Sequence, residues 1–208
     1  MKDNYRVGVL GSGKGSNFVA LADAVAADPH PPYEIALVLS DVAEAGILIH
    51  ARNRGIVAEY LAPGPFRTKL DEAAEAAYVA ALRKAEVDLV VLAGFMRVLK
   101  EQFLSAFTTK VINIHPSLLP SFPGLEAWRQ ALDHGVKFTG CTVHFVDQGV
   151  DTGPIIGQKV VPVIDDDTAG TLHARIQVAE HELYPAVVRA LAEGRIAVHG
   201  RVTTWRRE

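Results

Sequence analysis

The chain has 208 residues, of which 49% are hydrophobic and 22% are charged, and its 21 basic and 24 acidic side chains give a formal net charge of −3. This composition is typical of a folded globular protein and excludes a disordered or fibrous chain. The slight acidic excess argues against nucleic acid as a partner, because proteins that bind duplexes usually carry a basic surplus.

A single cysteine, Cys141, excludes an internal disulfide bond and favours a reducing compartment, so we expect a cytoplasmic protein. The N-terminus has no basic flank leading into an apolar stretch, and no apolar run approaches the roughly 18 residues that a membrane span needs. We therefore expect neither a signal peptide nor a membrane partner.

Short apolar runs alternate with longer segments of helical period over the first half of the chain. These runs are Val7–Leu10, Ile35–Leu39, Val57–Tyr60, Leu89–Ala93 and Val111–Ile114. Continuous runs of Val, Ile and Leu are typical of buried parallel strands, because helices then cover both faces of the sheet. The alternation predicts an α/β fold with an open, twisted, mostly parallel sheet and helices on both faces.

One helix is predicted over Thr68–Ala85, where apolar residues recur on one side and charged residues on the other. Thr68 resembles the start of a capping pair with Asp71, three residues later. We therefore expect this helix to begin near Thr68.

The last third of the chain predicts an antiparallel pair of strands, Thr139–Val146 and Pro154–Val163. The loop between them is too short for a crossover helix, so the two strands must run in opposite directions. A long helix is predicted from about Thr168, with Pro185 kinking it or ending a segment and Gly194 stopping it. The remaining residues, 195–208, are expected to form a solvated end.

The glycine-rich loop Gly11–Asn17 follows the first predicted strand and precedes a helix, which is where backbone N–H groups can bind an anion. A nucleotide P-loop is excluded because Gly15 occupies the place of the magnesium-binding hydroxyl, and the glycine spacing does not match the dinucleotide fingerprint. The loop predicts a phosphate monoester site, with Ser16 and Asn17 as added donors. The alternative is a tight turn capped by Ser16 or Asn17.

Asn113 and His115 stand at the end of an apolar run that Pro116 stops. They lie two residues apart, so on a strand their side chains point the same way, at the edge where open α/β sheets bind ligands. An amide beside an imidazole can hold a developing oxyanion, and the imidazole can also move a proton. A strand-end cap with a structural core histidine remains the alternative.

Asp151 lies deep in the loop that follows the next predicted strand, within possible reach of His115. Such a carboxylate would raise the pKa of His115 and fix the orientation of its ring. Ordinary turn capping is the commoner role for loop aspartates such as Asp147 and Asp151, and the spacing leaves both open. No compact metal-ligand motif accompanies the histidines, so we predict no catalytic metal.

Several stretches of the chain resemble the signatures of folate-dependent formyltransferases. The stretch Asn113–Pro120 is similar to the first signature, and the stretches Thr139–Asp147 and Gly149–Pro154 are similar to the second. Ala93–Leu99 and Gly13–Asn17 are similar to the branch of this family that acts in purine synthesis. The resemblance covers nearly the whole chain in order, and the two long signatures are highly specific.

The resemblance implies a Rossmann-like formyltransferase fold and direct transfer of a formyl group from 10-formyltetrahydrofolate to the amine of glycinamide ribonucleotide (GAR). Asn113, His115 and Asp151 would be the catalytic set. Asn113 and a protonated His115 would hold the oxyanion, while Asp151 would keep His115 charged and relay a proton.

The resemblance also implies the binding residues. Gly15, Ser16 and Asn17 would hold the GAR phosphate, and Glu180 would contact its glycinamide or ribose end. The folate would contact Met96, Arg97, Val98, Leu99, Asn113, Asp147 and Val150. Lys69 would contact it too, standing where the family often has an arginine, which keeps the charge but loses the fork geometry.

The same resemblance predicts one domain over residues 1–208, with a phosphate-binding N-terminal half and a folate-binding, catalytic C-terminal half, as a monomer or homodimer. Three other activities remain open. Formyltetrahydrofolate deformylase uses the same triad with water as acceptor, but normally carries an N-terminal regulatory domain. Methionyl-tRNA formyltransferase carries an extra C-terminal tRNA domain, for which the short tail leaves no room. A non-catalytic nucleotide sensor would explain only the glycine loop.

Overall fold

The structure is a computed structural model, and it describes residues 5–206. The chain divides into two compact units, of which the first ends at Ile112 and the second begins at Asn113.

The first unit is built from four parallel strands and four helices. The strands are β1 (Tyr5–Leu10), β2 (Tyr33–Ser40), β3 (Ala58–Tyr60) and β4 (Leu89–Leu92), in the order β3-β2-β1-β4. The helices are α1 (Ser16–Ala26), α2 (Gly46–Asn53), α3 (Glu72–Lys84) and α4 (Glu101–Ala106). Val9, Val38 and Val91 on adjacent strands are fully buried, so the apolar runs form the core as expected.

Helix α3 begins later than its sequence pattern predicts. Its N-cap is Asp71, whose carboxylate accepts the N–H of Ala74 at 2.7 Å. The carbonyl oxygen of Thr68 instead accepts the N–H of Val98. The prediction of a start near Thr68 was wrong, because an aspartate is as good a cap as a threonine and stands next to the first apolar turn.

The second unit contains an antiparallel strand pair and one long helix. Its elements are β5 (Val111–His115, which begins two residues before the boundary), α5 (Ala127–Asp133), β6 (Phe138–Phe145), β7 (Ile155–Pro162), α6 (Ala169–Ala192), β8 (Ile196–His199) and β9 (Val202–Trp205). Strands β6 and β7 pair antiparallel, as predicted. Helix α6 starts with a capping box between Thr168 and Thr171 and continues through Pro185, so this proline does not end a segment.

Of the tail predicted to be a solvated end, residues 195–206 contain two strands, and Arg207 and Glu208 lie outside the described residues. Strands β8 and β9 form an antiparallel hairpin. The indole N–H of Trp205 donates to the carbonyl of Ile156 at 2.8 Å, and the hydroxyl of Thr203 donates to that of Ile155 at 2.7 Å. The hairpin therefore satisfies polar groups along part of β7, which would otherwise be an open strand edge.

The predicted fold class is confirmed, with a mostly parallel sheet, helices packed on it and an antiparallel pair in the last third. Within residues 5–206, every helix is too short or too polar to cross a membrane.

Candidate active site

Asn113 and His115 occupy the third and the last position of β5, two residues apart, and both side chains are at least partly enclosed. His115 is the final residue of the strand, and the chain turns away at Pro116. The strand thus delivers an amide and an imidazole to its carboxyl end.

Both ring nitrogens of His115 face oxygen atoms. Nε2 lies 2.8 Å from the carbonyl oxygen of Phe122, and Nδ1 lies 3.3 Å from Oδ2 of Asp151. A carbonyl oxygen can only accept, so Nε2 carries the proton of the neutral ring. A second proton on Nδ1 would then complete a charge-assisted bond to Asp151.

Asp151 is held in place by its backbone and by two neighbours. Its φ angle is 56°, in the left-handed region that aspartate tolerates better than most residues. Its Oδ2 accepts the N–H of Gly124 at 2.9 Å, and its Oδ1 lies 3.7 Å from Nε2 of His144. One carboxylate oxygen is therefore fixed toward His115, while the other has only a long contact.

The turn that supplies the Phe122 carbonyl is tied to β6 through Thr142. The buried hydroxyl of Thr142 donates to the carbonyl of Ser117 at 2.6 Å and accepts the N–H of Leu119 at 3.0 Å. Gln158 also donates to this hydroxyl, at 3.0 Å, and to the carbonyl of Leu119. These bonds fix the segment that follows β5, and with it the partner of His115. Sequence reasoning did not single out Gln158, because only the β6–β7 register brings it beside Thr142.

Burial lowers the pKa of His115, although the Phe122 carbonyl and the Asp151 carboxylate oppose that shift and His144 adds to it. We expected Asp151 to raise the pKa of His115 enough to keep the ring charged. The carboxylate acts in that direction, but desolvation of the ring outweighs it. The imidazole is therefore neutral in the free protein near pH 7.

Asp151 shows the opposite balance. Burial by itself would raise the pKa of the Asp151 carboxyl, but the contact with His144, the Gly124 N–H and the two imidazoles together lower it below its ordinary value. Asp151 is therefore a carboxylate at neutral pH.

Asn113 keeps its amide available. The contact of its Nδ2 with Nε2 of His144 is long, at 3.5 Å. The other ring nitrogen of His144 lies 2.8 Å from the carbonyl of Phe145 and so carries the ring proton. Buried His144 thus presents an acceptor to Asn113, which orients the amide with its N–H groups toward the site.

The loop 147–153 is built around Asp147. Its Oδ1 accepts the N–H of Gly149 at 3.0 Å and the hydroxyl of Thr152 at 2.6 Å, which is an Asx turn. The Asp147 side chain therefore serves the loop itself, and Val150 at its tip is exposed. A side chain at Gly153 would come within 1.8 Å of the Phe145 carbonyl, so only glycine lets the chain return there.

The glycine loop of the first unit ends at Gly15, which is the N-cap of α1 with a φ of 83°. No side chain caps this helix, so the alternative of a turn capped by Ser16 or Asn17 is wrong. A Cβ atom at Gly15 would lie 2.8 Å from the backbone of Ile47. The uncapped helix N-terminus and the close backbone packing suit an anion.

The segment Met96–Leu99 of the first unit alternates between exposed and buried side chains. Met96 and Val98 are exposed, whereas Leu99 is buried and Arg97 is largely buried. Lys69 pairs with Val98 in an isolated parallel bridge, and its ammonium group lies 4.4 Å from the ring centre of Phe66. The predicted folate residues of this unit are therefore neighbours, but not all of them face outward.

Glu180 lies on α6 of the second unit and is buried. A buried carboxylate is rare without a partner, so this position is consistent with a specific polar role. Over residues 5–206, no group of three or more His, Cys, Asp or Glu side chains is arranged to hold a metal ion.

Comparison with known proteins gives consistent matches. The formyl transferase family model matches residues 5–188. A phosphoribosylglycinamide formyltransferase of Mycobacterium tuberculosis is 44% identical over 203 residues, which cover 98% of this chain and 92% of that protein. The human trifunctional purine biosynthetic protein adenosine-3 is 42% identical over 94% of this chain, but the chain spans only 19% of its length.

Solved structures are similar over the whole chain. A glycinamide ribonucleotide transformylase from Symbiobacterium toebii is 46% identical, with a TM-score of 0.93, and the match covers 100% of this chain and 96% of that one. A formyltetrahydrofolate deformylase from Pseudomonas syringae has a TM-score of 0.91, but only 29% identity, and the match covers 99% of this chain and 67% of that one.

Proposed function

The chain belongs to the formyl transferase family, and on that premise we propose that it transfers the formyl group of 10-formyltetrahydrofolate to the amine of GAR in purine biosynthesis. The observation that carries this proposal is the contact of 3.3 Å between His115 and Asp151, beside the amide of Asn113 at the end of β5. The oxyanion donor Asn113 and the proton acceptor Asp151 are thus grouped at the end of one strand.

The reaction needs one bond to form and one to break. The amine nitrogen of GAR attacks the formyl carbon, and a tetrahedral intermediate forms with negative charge on the former carbonyl oxygen. The bond from this carbon to N10 of the folate then breaks, and the proton released by the amine goes to N10. No covalent bond to the protein and no metal is required.

Asn113 donates an amide N–H to the developing oxyanion, because its competing contact with His144 is long. Asp151 accepts the proton of the attacking amine. The proton then lies between Oδ2 of Asp151 and Nδ1 of His115, where it completes the missing hydrogen bond and charges the imidazole. The positive charge arises as the oxyanion forms, which places the stabilisation in the transition state and not in the ground state.

Gly15, Ser16 and Asn17 bind the GAR phosphate at the N-terminus of α1, and Glu180 contacts the rest of GAR. Exposed Met96 and Val98 contribute apolar contacts to the folate, with Lys69 as the nearby cation. The loop 147–153 offers its backbone to the pterin, since the Asp147 side chain is used within the loop.

The acceptor distinguishes this proposal from deformylation, in which water replaces the amine. The higher identity to GAR transformylases than to the deformylase favours the amine, as does the glycine loop for a phosphorylated acceptor. The test is to follow formation of tetrahydrofolate from 10-formyltetrahydrofolate with and without GAR. If the proposal holds, tetrahydrofolate forms only when GAR is present, and formylated GAR forms in equal amount. Tetrahydrofolate formed without GAR contradicts the proposal.

The remaining assignments are part of the same proposal. The protein is a cytoplasmic monomer or homodimer that acts on small molecules, with the single cysteine buried. The glycine loop and the predicted folate residues 69 and 96–99 lie in the first unit, and the catalytic set lies in the second.

A further inference from the structure

We propose that the side chain of Arg97 does not bind the folate, but forms a buried ion pair with Asp41 that positions the folate-binding segment Phe95–Leu99. This inference rests on the proposed function, because it gives the segment a substrate to bind. It reassigns Arg97, which sequence reasoning placed among the folate contacts, from a ligand to a positioning residue.

The direction of the side chains is the first observation. Phe95 and Leu99 are 9% and 5% exposed, whereas Met96 and Val98 are 59% and 47% exposed. Arg97 falls on the inward side of this alternation, with a side chain only 15% exposed. The outward side is apolar, and the one cation of the segment points into the protein.

The contacts of Arg97 are the second observation. Its Nε donates to Oδ2 of Asp41 at 2.6 Å, and its Nη1 donates to the carbonyl oxygen of Phe66 at 2.5 Å. Asp41 directly follows β2, and its side chain is 2% exposed. Arg97 therefore links the segment to the end of β2 and to the loop that carries Lys69.

The buried carboxylate of Asp41 is paired with Arg97. Its second oxygen, Oδ1, is buried and has no hydrogen-bond partner within residues 5–206. A buried carboxylate is costly unless it is paired, so Arg97 supplies the compensation. The interaction depends on arginine, because its rigid fork of N–H groups binds the carboxylate of Asp41 and the carbonyl of Phe66 at the same time.

The rest of the segment is held by single backbone bonds. The N–H of Met96 donates to the hydroxyl of Ser12 at 2.9 Å, and the N–H of Val98 donates to the carbonyl of Thr68 at 2.8 Å. These bonds lie on either side of Arg97. Without the contact between Arg97 and Asp41, Met96 and Val98 keep their backbone hydrogen bonds. The apolar surface that their side chains form is then free to shift.

The experiment is a double-variant cycle with Arg97→Ala and Asp41→Ala. Each single variant is expected to raise KM for 10-formyltetrahydrofolate about tenfold, with kcat and KM for GAR changed far less. The double variant is expected to match the single variants, because the two side chains act as one unit. Arg97→Lys keeps the charge without the fork and is expected to recover only part of the loss.

The control is Asp23→Ala, which removes the exposed ion pair between Asp23 and Arg54 in the same unit. It is expected to leave KM for the folate unchanged. Binding of tetrahydrofolate, measured on folded protein at equilibrium, repeats the comparison without turnover.

Two results would overturn this role of the ion pair. One is a rise in folate KM for Arg97→Ala with no change for Asp41→Ala, which would make Arg97 a direct contact. The other is equal tetrahydrofolate affinity in all variants. Absence of formyl transfer in the unaltered protein would instead contradict the proposed function, while the tetrahydrofolate measurements would still decide the role of the ion pair.

Discussion

Asp151 Oδ2 and His115 Nδ1 lie 3.3 Å apart, and the same carboxylate oxygen accepts the N–H of Gly124. With Nε2 of His115 engaged by the Phe122 carbonyl, the imidazole is held between two acceptors. The neutral ring can satisfy only one of them, so a second proton on Nδ1 would complete a charge-assisted hydrogen bond to Asp151.

Asp151→Asn should lose most of the activity. The amide cannot accept the amine proton, and loss of a general base typically costs a factor of about 10² to 10⁴ in rate. We expect kcat to fall by this amount with both KM values little changed, measured in steady-state assays of tetrahydrofolate formation. Asp165→Asn removes an exposed charge in the same unit and serves as the control. Turnover close to that of the unaltered protein would exclude Asp151 from the chemistry.

The pKa of His115 should lie below its ordinary value of about 6.5. Since Asp151 opposes the shift that burial causes, Asp151→Asn should lower the pKa of His115 further. Histidine titration by NMR measures both values. A pKa above 6.5 in the unaltered protein, or an increase in the variant, would contradict the balance derived above.

The same shift makes stability depend on pH. The folded state resists protonation of His115, whereas the unfolded chain binds that proton below about pH 6.5. The contribution of neutral His115 to the free energy of unfolding is therefore complete above this pH and is lost as pH falls below it. Denaturant unfolding between pH 7.5 and 5.5, compared with His115→Asn, should show a steeper decline in the unaltered protein; parallel curves would contradict this.

Asn113→Ala should remove the oxyanion donor. Loss of one such donor costs about 10² to 10³ in kcat, or about 2.7 to 4 kcal/mol of barrier. The donor acts on charge that appears only in the transition state, so binding of the two substrates should change little. A purely larger KM with unchanged kcat would assign Asn113 to substrate binding instead.

Gly15→Ala should weaken GAR binding. Gly15 has a φ of 83°, which costs about 1 to 2 kcal/mol for a residue with a Cβ atom, and that atom would also meet Ile47 at 2.8 Å. Gly13→Ala is the matched control, because a Cβ atom there meets nothing within 4 Å. We expect KM for GAR to rise much more for Gly15→Ala than for Gly13→Ala. Equal values of KM for both variants would argue against a phosphate site that includes Gly15.

Much of this protein follows from local sequence patterns. Continuous runs of Val, Ile and Leu predicted β1, β2, β4 and β5, and the short loop 147–153 required the antiparallel pair, because both depend only on neighbouring residues. The signature stretches likewise predicted which strand end and which loop carry the chemistry. The start of α3 and the folded tail were missed, since the choice between two caps and the docking of Trp205 on β7 depend on contacts distant in sequence.

Tertiary structure alone decided how the chemical groups are used. The charge of His115 depends on how much solvent the fold removes from the ring, and burial outweighs the carboxylate that the sequence places nearby. The direction of Arg97 depends on Asp41, 56 residues earlier in the chain, which only the packing of the first unit brings within 2.6 Å. Sequence fixes which groups are present, but their protonation and partners depend on desolvation and distance, which only the folded chain defines.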